Sequence, residues 1–195
     1  MATHIAIIQG HPDAAGSHFG HALADAYAEA AGTASHEVRR IEVAQLVFPW
    51  LRSKQEWEHD EAPLSIRDAQ ATIAWAEHLI IVYPLWLGSM PAVFKAFLEQ
   101  AFRPGFALAK AGADKTWQKC LTGKSARVVV TMGMPAFVYR WYFGAHSLKS
   151  LERNILGFCG IGLVRTQLIG TVEATDAAKR EKWLGKMRAL GRDAR

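Results

Sequence analysis

Apolar residues along this chain gather in short unbroken runs: Ile5-Ala6-Ile7-Ile8, Leu79-Ile80-Ile81-Val82, Arg127-Val128-Val129-Val130-Thr131, and the stretch 162–169. A strand that is apolar on both faces needs cover on both, so such runs predict strands held between two layers of helices. Residues 36–43 alternate more and predict a strand at the edge of the sheet. Segments of helix length lie between these runs, at 17–31, 63–77, 91–102 and 146–159. Strand and helix alternate five times, which predicts an α/β fold built on a parallel, doubly wound sheet.

Composition adds limits. The chain has 195 residues, half of them hydrophobic, and no Pro-, Gly- or Ser-rich stretch divides it, so one domain over 1–195 is expected. Its formal charge of +5 is dispersed except for a basic tail over 179–195, which reads as a solvated last helix rather than a nucleic-acid contact. Scattered Lys and Arg would also favour anionic nucleotides. Cys120 and Cys159 match no CxxC or zinc spacing and are too few for a disulfide scaffold, which fits a reducing compartment. No apolar run approaches the length of a membrane span. A cytoplasmic protein with no membrane insertion is expected. Trp57-Glu58-His59-Asp60-Glu61 concentrates possible ligands, but they are consecutive and lack i, i+4 histidines; an acidic turn is expected there and no metal. There is no GxSxG elbow, and Ser17, Ser89 and Ser125 have no evident His and acid partners, so hydrolysis is disfavoured.

In open α/β sheets, ligands bind beyond the carboxyl ends of the strands where the strand order reverses, so three loops carry the candidate chemistry. The first runs from Gln9 to Gly20. Its small residues, and Ser17 at the start of the next helix, could hold a phosphate, although Ser17 also suits a plain helix cap and His11 either packs the loop or meets an anion. The strongest nucleotide fingerprints, GxxxxGK[ST] and GxGxxG, are absent. In the second loop, Tyr83-Pro84-Leu85-Trp86-Leu87-Gly88-Ser89-Met90-Pro91, apolar side chains call for core packing, a partner subunit or a flat ring above them. The third, from Thr131 to His146, is long and aromatic, as lids and binding walls are. Tyr139 and His146 there are candidate proton donors.

Together the three loops resemble the flavodoxin-like NAD(P)H:quinone oxidoreductase family, which includes DT-diaphorase, modulator-of-drug-activity reductases and the quinone reductases ancillary to potassium efflux. The likeness extends over most of residues 4–170. It is best over 83–102, similar to the family's P-L-x-W-x-x-x-P-x-x-x-K-x-x-x-x-x-x-F segment, and at Phe158-Cys159-Gly160-Ile161, similar to its F-C-G signature. The resemblance implies a flavodoxin-like three-layer sandwich with five parallel strands in the order 2-1-3-4-5. It implies a flavin held by His11, Ser17 and Phe19, by Pro84, Leu85, Trp86 and Leu87, and by Thr131, Met132 and Gly133. FMN is favoured over FAD.

It further implies a ping-pong reaction in which NADH or NADPH gives a hydride to the flavin and leaves, and a quinone-like acceptor then takes the electrons. Tyr139 and His146 fall near the family's substrate-facing Tyr and His, offset by a residue. Met132-Gly133-Met134-Pro135 stands where the family has Gly-Gly, and Gly20 where it has Asn. A homodimer is implied, and Trp50, Trp57, Trp141, Tyr142 and Phe143 could supply its apolar surface. The alternative expectation is a flavin-binding electron carrier, or a regulatory subunit of a membrane transporter, without turnover.

Overall fold

The computed structural model describes residues 2–16, 18–111 and 116–195, without the side chains of Lys110 and Ala111. In chain order the elements begin with strand β1 (His4–Gln9), helix α1 (Phe19–Thr33), strand β2 (Glu37–Glu42) and a single 3-10 turn at Val43–Gln45. Helices α2 (Lys54–Glu58) and α3 (Leu64–Trp75), strand β3 (His78–Pro84) and helix α4 (Ala92–Ala101) follow. Strands β4 (Leu108–Ala111) and β5 (Thr116–Lys119) then pair antiparallel, apart from the main sheet. Strand β6 (Ser125–Thr131) leads to a π-helical turn at Val138–Tyr142, helix α5 (His146–Lys149), a π-helical stretch at Ser150–Leu156 and helix α6 (Gly157–Cys159). Strand β7 (Leu163–Ile169) and helix α7 (Ala177–Arg192) complete the series.

The main sheet runs β2-β1-β3-β6-β7 with every neighbouring pair parallel, which is the expected 2-1-3-4-5 order once the separate hairpin is set aside. Period-2 alternation divides its side chains between two cores. Ile5, Ile7, Ile80, Val82 and Val129 face α1 and α7, where they meet Leu23, Tyr27 and Met187. Ala6, Ile8, Ile81, Tyr83, Val128 and Val130 face the other side, against Ile66, Phe94, Phe97 and Leu151. β2 and β7, the two edges, keep part of their length exposed.

Several expectations are adjusted. The expected first helix at 17–31 begins at Phe19, with His18 in extended backbone at its N-cap. The expected helix over 146–159 is not uniformly α: its central seven residues are π-helical, each turn holding more than 3.6 residues. Gly160 ends it at φ +106, where a Cβ would meet the Thr122 backbone nitrogen at 3.0 Å, so the glycine of Phe158-Cys159-Gly160 is a structural requirement. The last helix is not merely solvated, because Met187 is fully buried and Gly191 lies against the Tyr27 carbonyl so closely that a Cβ would sit 2.3 Å away. The expected acidic turn at 57–61 starts as α2, capped by the Ser53 hydroxyl, which accepts from Glu56 N–H. Trp57 there is half-buried rather than free, with its ring 5.9 Å from that of Trp117.

At the amino-terminal end of β3, His78 is 5% exposed. Its Nδ1 lies 2.7 Å from Ser125 Oγ, and its Nε2 is buried without a partner among the described residues. Burial, and then the charges of Arg127 and Arg165, push its pKa down from 6.5 to about 4. The folded protein therefore holds a neutral imidazole that the unfolded chain protonates below pH 6.5. Stability is kept above that pH and falls as pH drops toward 4, by about 1.4 kcal/mol per unit. In urea unfolding compared between pH 7 and pH 5, His78 should account for roughly 2 kcal/mol of the loss, so His78→Asn should lose about that much less than the wild type; an equal loss in that variant would assign the acid sensitivity elsewhere.

Candidate active site

β1 lies at the centre of the strand-order reversal, and its carboxyl end delivers Gln9, Gly10 and His11 to the crevice beside β3. Gly10 N–H donates to the Val82 carbonyl at 2.7 Å, which continues the sheet one residue into the loop. The ring of Phe94 lies directly beneath Gly10, where a Cβ would come within 2.7–2.9 Å of its carbons. Gln9 is 1% exposed; its Oε1 accepts from His11 N–H, and its Nε2 is a buried donor with no partner among the described residues.

Three imidazoles crowd the start of α1. The rings of His11 and His18 stack at 3.9 Å, and that of His21 lies 5.1 Å from His11 and 5.8 Å from His18. His11 Nδ1 accepts from Asp13 N–H, and His18 Nε2 meets Asp13 Oδ2 at 2.6 Å. His11 is 8% and His21 7% exposed, and His21 Nδ1 has no partner among the described residues. Burial first, and then the adjacent His18 and His21, lower the pKa of His11. Burial chiefly lowers that of His21. The bond from His18 holds the Asp13 carboxyl below the usual range. Ser17 lies outside the described residues. Phe19, the first residue of α1, is half-buried and has the Arg180 guanidinium 5.4 Å from its ring centre.

The second loop is a tight turn in which Trp86 and Ser89 exchange both backbone hydrogen bonds. Leu87 and Gly88 have φ of +46 and +75, the left-handed pair that a two-residue turn of this kind requires. A leucine pays conformational strain in that region, on the order of 1–2 kcal/mol. Leu87 nevertheless stands fully exposed beside a half-exposed Trp86, whereas Pro84 and Leu85 are half-buried. The Trp86 ring is 6.3 Å from that of His11, edge to face, which joins the first and second loops.

Leu85 N–H donates to the Thr131 carbonyl at 2.7 Å and joins the second loop to the third. Thr131 and Met132 are buried, and Gly133 is exposed. Met132 N–H is spent on the Ile169 carbonyl, so Met132 offers the crevice no free backbone donor. Tyr139 is 1% exposed; its hydroxyl accepts from Leu148 N–H and shares a 2.8 Å hydrogen bond with Ser147 Oγ. It pins the loop onto α5 rather than facing solvent. His146 is exposed at the first residue of α5. Phe137, Trp141, Tyr142 and Phe143 turn outward, as Trp50 does from its own loop.

The structure thus joins His11, Trp86, Leu85 and Thr131 through direct contacts at one end of the sheet, and it separates Tyr139 from solvent. Sequence reasoning missed Gln9, His18 and His21. The i, i+3 spacing of the last two, on one face of the first helical turn, was the signal available for them. A hollow of about 610 Å³ lies away from the three loops, between Leu51–Trp57, α4 and residues 154–159. The Cys159 thiol in its wall, pushed up to about 12 by burial, keeps its proton. Polar groups without partners among the described residues and exposed aromatics coincide at the loops instead, which makes the loops the candidate site.

Among the described residues, no helix is long and apolar enough to cross a membrane. A ribosyldihydronicotinamide dehydrogenase-like protein of Penicillium crustosum is 31% identical over 90 residues, 43% of this chain; the match spans only 34% of that relative's length. An uncharacterized NAD(P)H oxidoreductase of Haemophilus influenzae is 25% identical over 179 residues, covering 90% of this chain and 87% of the relative. The structure of an NAD(P)H:quinone oxidoreductase from Methanothermobacter marburgensis superposes with a TM-score of 0.81 at 22% identity, over 100% of this chain and 98% of that one. Residues 3–190 match a family described by its flavodoxin-like fold. With the sheet order and both helical layers in agreement, this chain belongs to that flavodoxin-like family.

Proposed function

We propose that this protein is a flavin-dependent NAD(P)H oxidoreductase that reduces quinone-like, flat aromatic acceptors. The observation that carries this reading is the meeting of three unlike surfaces at the switch point. These are the buried Gln9 Nε2, which has no partner among the described residues, the histidine-lined start of α1, and the exposed Trp86 and Leu87 of a strained turn. A flavin fits that combination: its phosphate suits the helix start, its polar ring edge a buried amide donor, and its apolar ring face the Trp86 loop. The oxidoreductase named among the relatives, similar along nine-tenths of this chain, supports the same class of chemistry.

When bound, the flavin would accept a hydride from NADH or NADPH and deliver it to the acceptor. The protein's own residues then bind and orient. His11, Ser17 and Phe19 would hold the phosphate end, and FMN rather than FAD suits so compact a loop. Pro84, Leu85, Trp86 and Leu87, with Thr131, Met132 and Gly133, would hold the ring; Met132 would contribute by packing alone, since its N–H is taken. His146, exposed at the head of α5, would give a proton to the reduced acceptor, and Tyr139, whose hydroxyl is bound to Ser147 and Leu148, would position the loop that carries it. A homodimer would cover Trp141, Tyr142 and Phe143.

The test is anaerobic titration of the FMN-loaded protein with NADH and NADPH, followed by turnover with a quinone. Bleaching of the flavin absorption and quinone-dependent reoxidation are expected, and sedimentation of the same sample should give twice the monomer mass. Trp86→Ala should raise the FMN dissociation constant roughly 2- to 12-fold, because an aromatic contact is worth about 0.5–1.5 kcal/mol; Thr131→Ala should raise it as well. Unchanged flavin stoichiometry and affinity in both variants would refute the site. A bound flavin that neither nicotinamide reduces would leave a carrier and no enzyme.

A further inference from the structure

The first loop, from Gln9 to Gly20, contains no Lys or Arg. A phosphate seated at the start of α1 would therefore meet the helix end and imidazoles where phosphate loops commonly offer a lysine. On the flavin reading above, we infer that His11, His18 and His21 form a proton-coupled phosphate clamp: they take up protons as the phosphate binds, so that this chain selects phosphorylated flavin more strongly as pH falls.

Geometry carries the inference. Three rings lie within 3.9–5.8 Å of one another, and two of them are more than nine-tenths buried. His18 caps a 15-residue helix without making a side-chain cap bond, and the first turn of that helix has no acidic residue. His21 carries a buried Nδ1 without a partner among the described residues and lines an open hollow of about 370 Å³ whose charged lining is Asp13, Asp25, Glu42 and Arg40. Burial first, and then the neighbouring imidazoles, favour the neutral form of His11, and burial chiefly favours it for His21. A dianion placed among them reverses that local potential, and solvent protons are drawn onto the imidazoles.

Other charges face the cluster from each neighbouring element. Asp13 in the loop is paired to His18. Asp25 of α1 and Glu42 of β2 are both bound by Arg40. Arg180 of α7 stands over Phe19, with its donors on the carbonyls of Val172 and Thr175. The second loop contributes only the uncharged Trp86. Each of these carboxylates and arginines already has a partner, whereas His21 Nδ1 has none among the described residues.

Calorimetry of FMN and of riboflavin binding, at pH 7 to 8 in buffers of different ionisation enthalpy, counts the protons exchanged. The phosphate, with its second pKa near 6, is already largely dianionic in that range. FMN should bind with net uptake of about one proton and tighten about tenfold per pH unit, by the linkage of bound protons to affinity. Riboflavin should bind more weakly and with neither effect. Inorganic phosphate should compete with FMN, more effectively at pH 7 than at pH 8. His21→Gln and the solvent-facing His18→Asn should each reduce the uptake; the second keeps a good N-cap residue and guards against a folding defect. FMN binding without uptake, or with the same uptake in both variants, would overturn the clamp and leave the flavin reading standing. Failure of both FMN and riboflavin to bind at any pH would remove that reading and the clamp together.

Discussion

Phe94→Ala is expected to lower the free energy of unfolding by about 3–5 kcal/mol, the usual cost of deleting a buried ring. Phe94 is fully buried, tilted against Tyr83 at 5.3 Å and stacked on Phe97 at 6.4 Å. Its ring is also the floor beneath Gly10. The cavity would therefore open directly under the first loop, and on the flavin reading FMN affinity should fall even where the variant remains folded. Urea unfolding measures the first effect, and flavin titration well below the unfolding midpoint measures the second. A loss under about 1 kcal/mol would mean that the two core faces repack freely around this position.

Arg103→Met should cost roughly 2–4 kcal/mol, since it orphans several acceptors at once. Arg103 is 3% exposed and donates to the carbonyls of Glu56, Trp57 and Asp60 and to Gln100 Oε1. Gln100 in turn donates to the Pro49 carbonyl. Two polar side chains from the α4 end thus hold the whole 49–60 connector, including the Trp57 wall of the larger hollow. Denaturation should show the loss, and limited proteolysis should find new cleavage between residues 49 and 60. If cleavage stays where it is in the wild type, the connector has other anchors strong enough to hold it.

The strands were legible because each central one is apolar on both faces, a pattern no exposed element shares. The edge position of β2 was legible from its mixed sequence Glu37-Val38-Arg39-Arg40-Ile41-Glu42. Less visible was α2, although Ser53 followed by Glu56 is a capping-box spacing, of which one half forms: the hydroxyl accepts from Glu56 N–H, whereas Glu56 Oε2 accepts from Arg52 N–H, one residue before the cap. The small hairpin gave little warning, because strands of four residues, one of them largely exposed, carry too few positions for a period to register.

At the candidate site, loop sequences and the resemblance pointed to the end of the sheet where His11, Trp86, Leu85 and Thr131 come together. They could not reveal that Tyr139 turns inward, because the direction of a side chain in a π-helical turn depends on where the extra residue falls. Nor could they show that Gln9 lacks a partner or that His21 reaches His11, since both depend on how α1 docks against β1 and β2. Helix docking is a tertiary outcome. It leaves its mark in spacing only when both contacting faces are already known.

The packing of α7 on α1 sets an order in time. Synthesis makes β1, the first loop and α1 early, yet Tyr27 and Ala31 of α1 wait for Met187 and Gly191, and Phe19 waits for Arg180. Every strand of the main sheet has emerged before that cover arrives. The layer that covers α1 is therefore complete only once the last helix has been made.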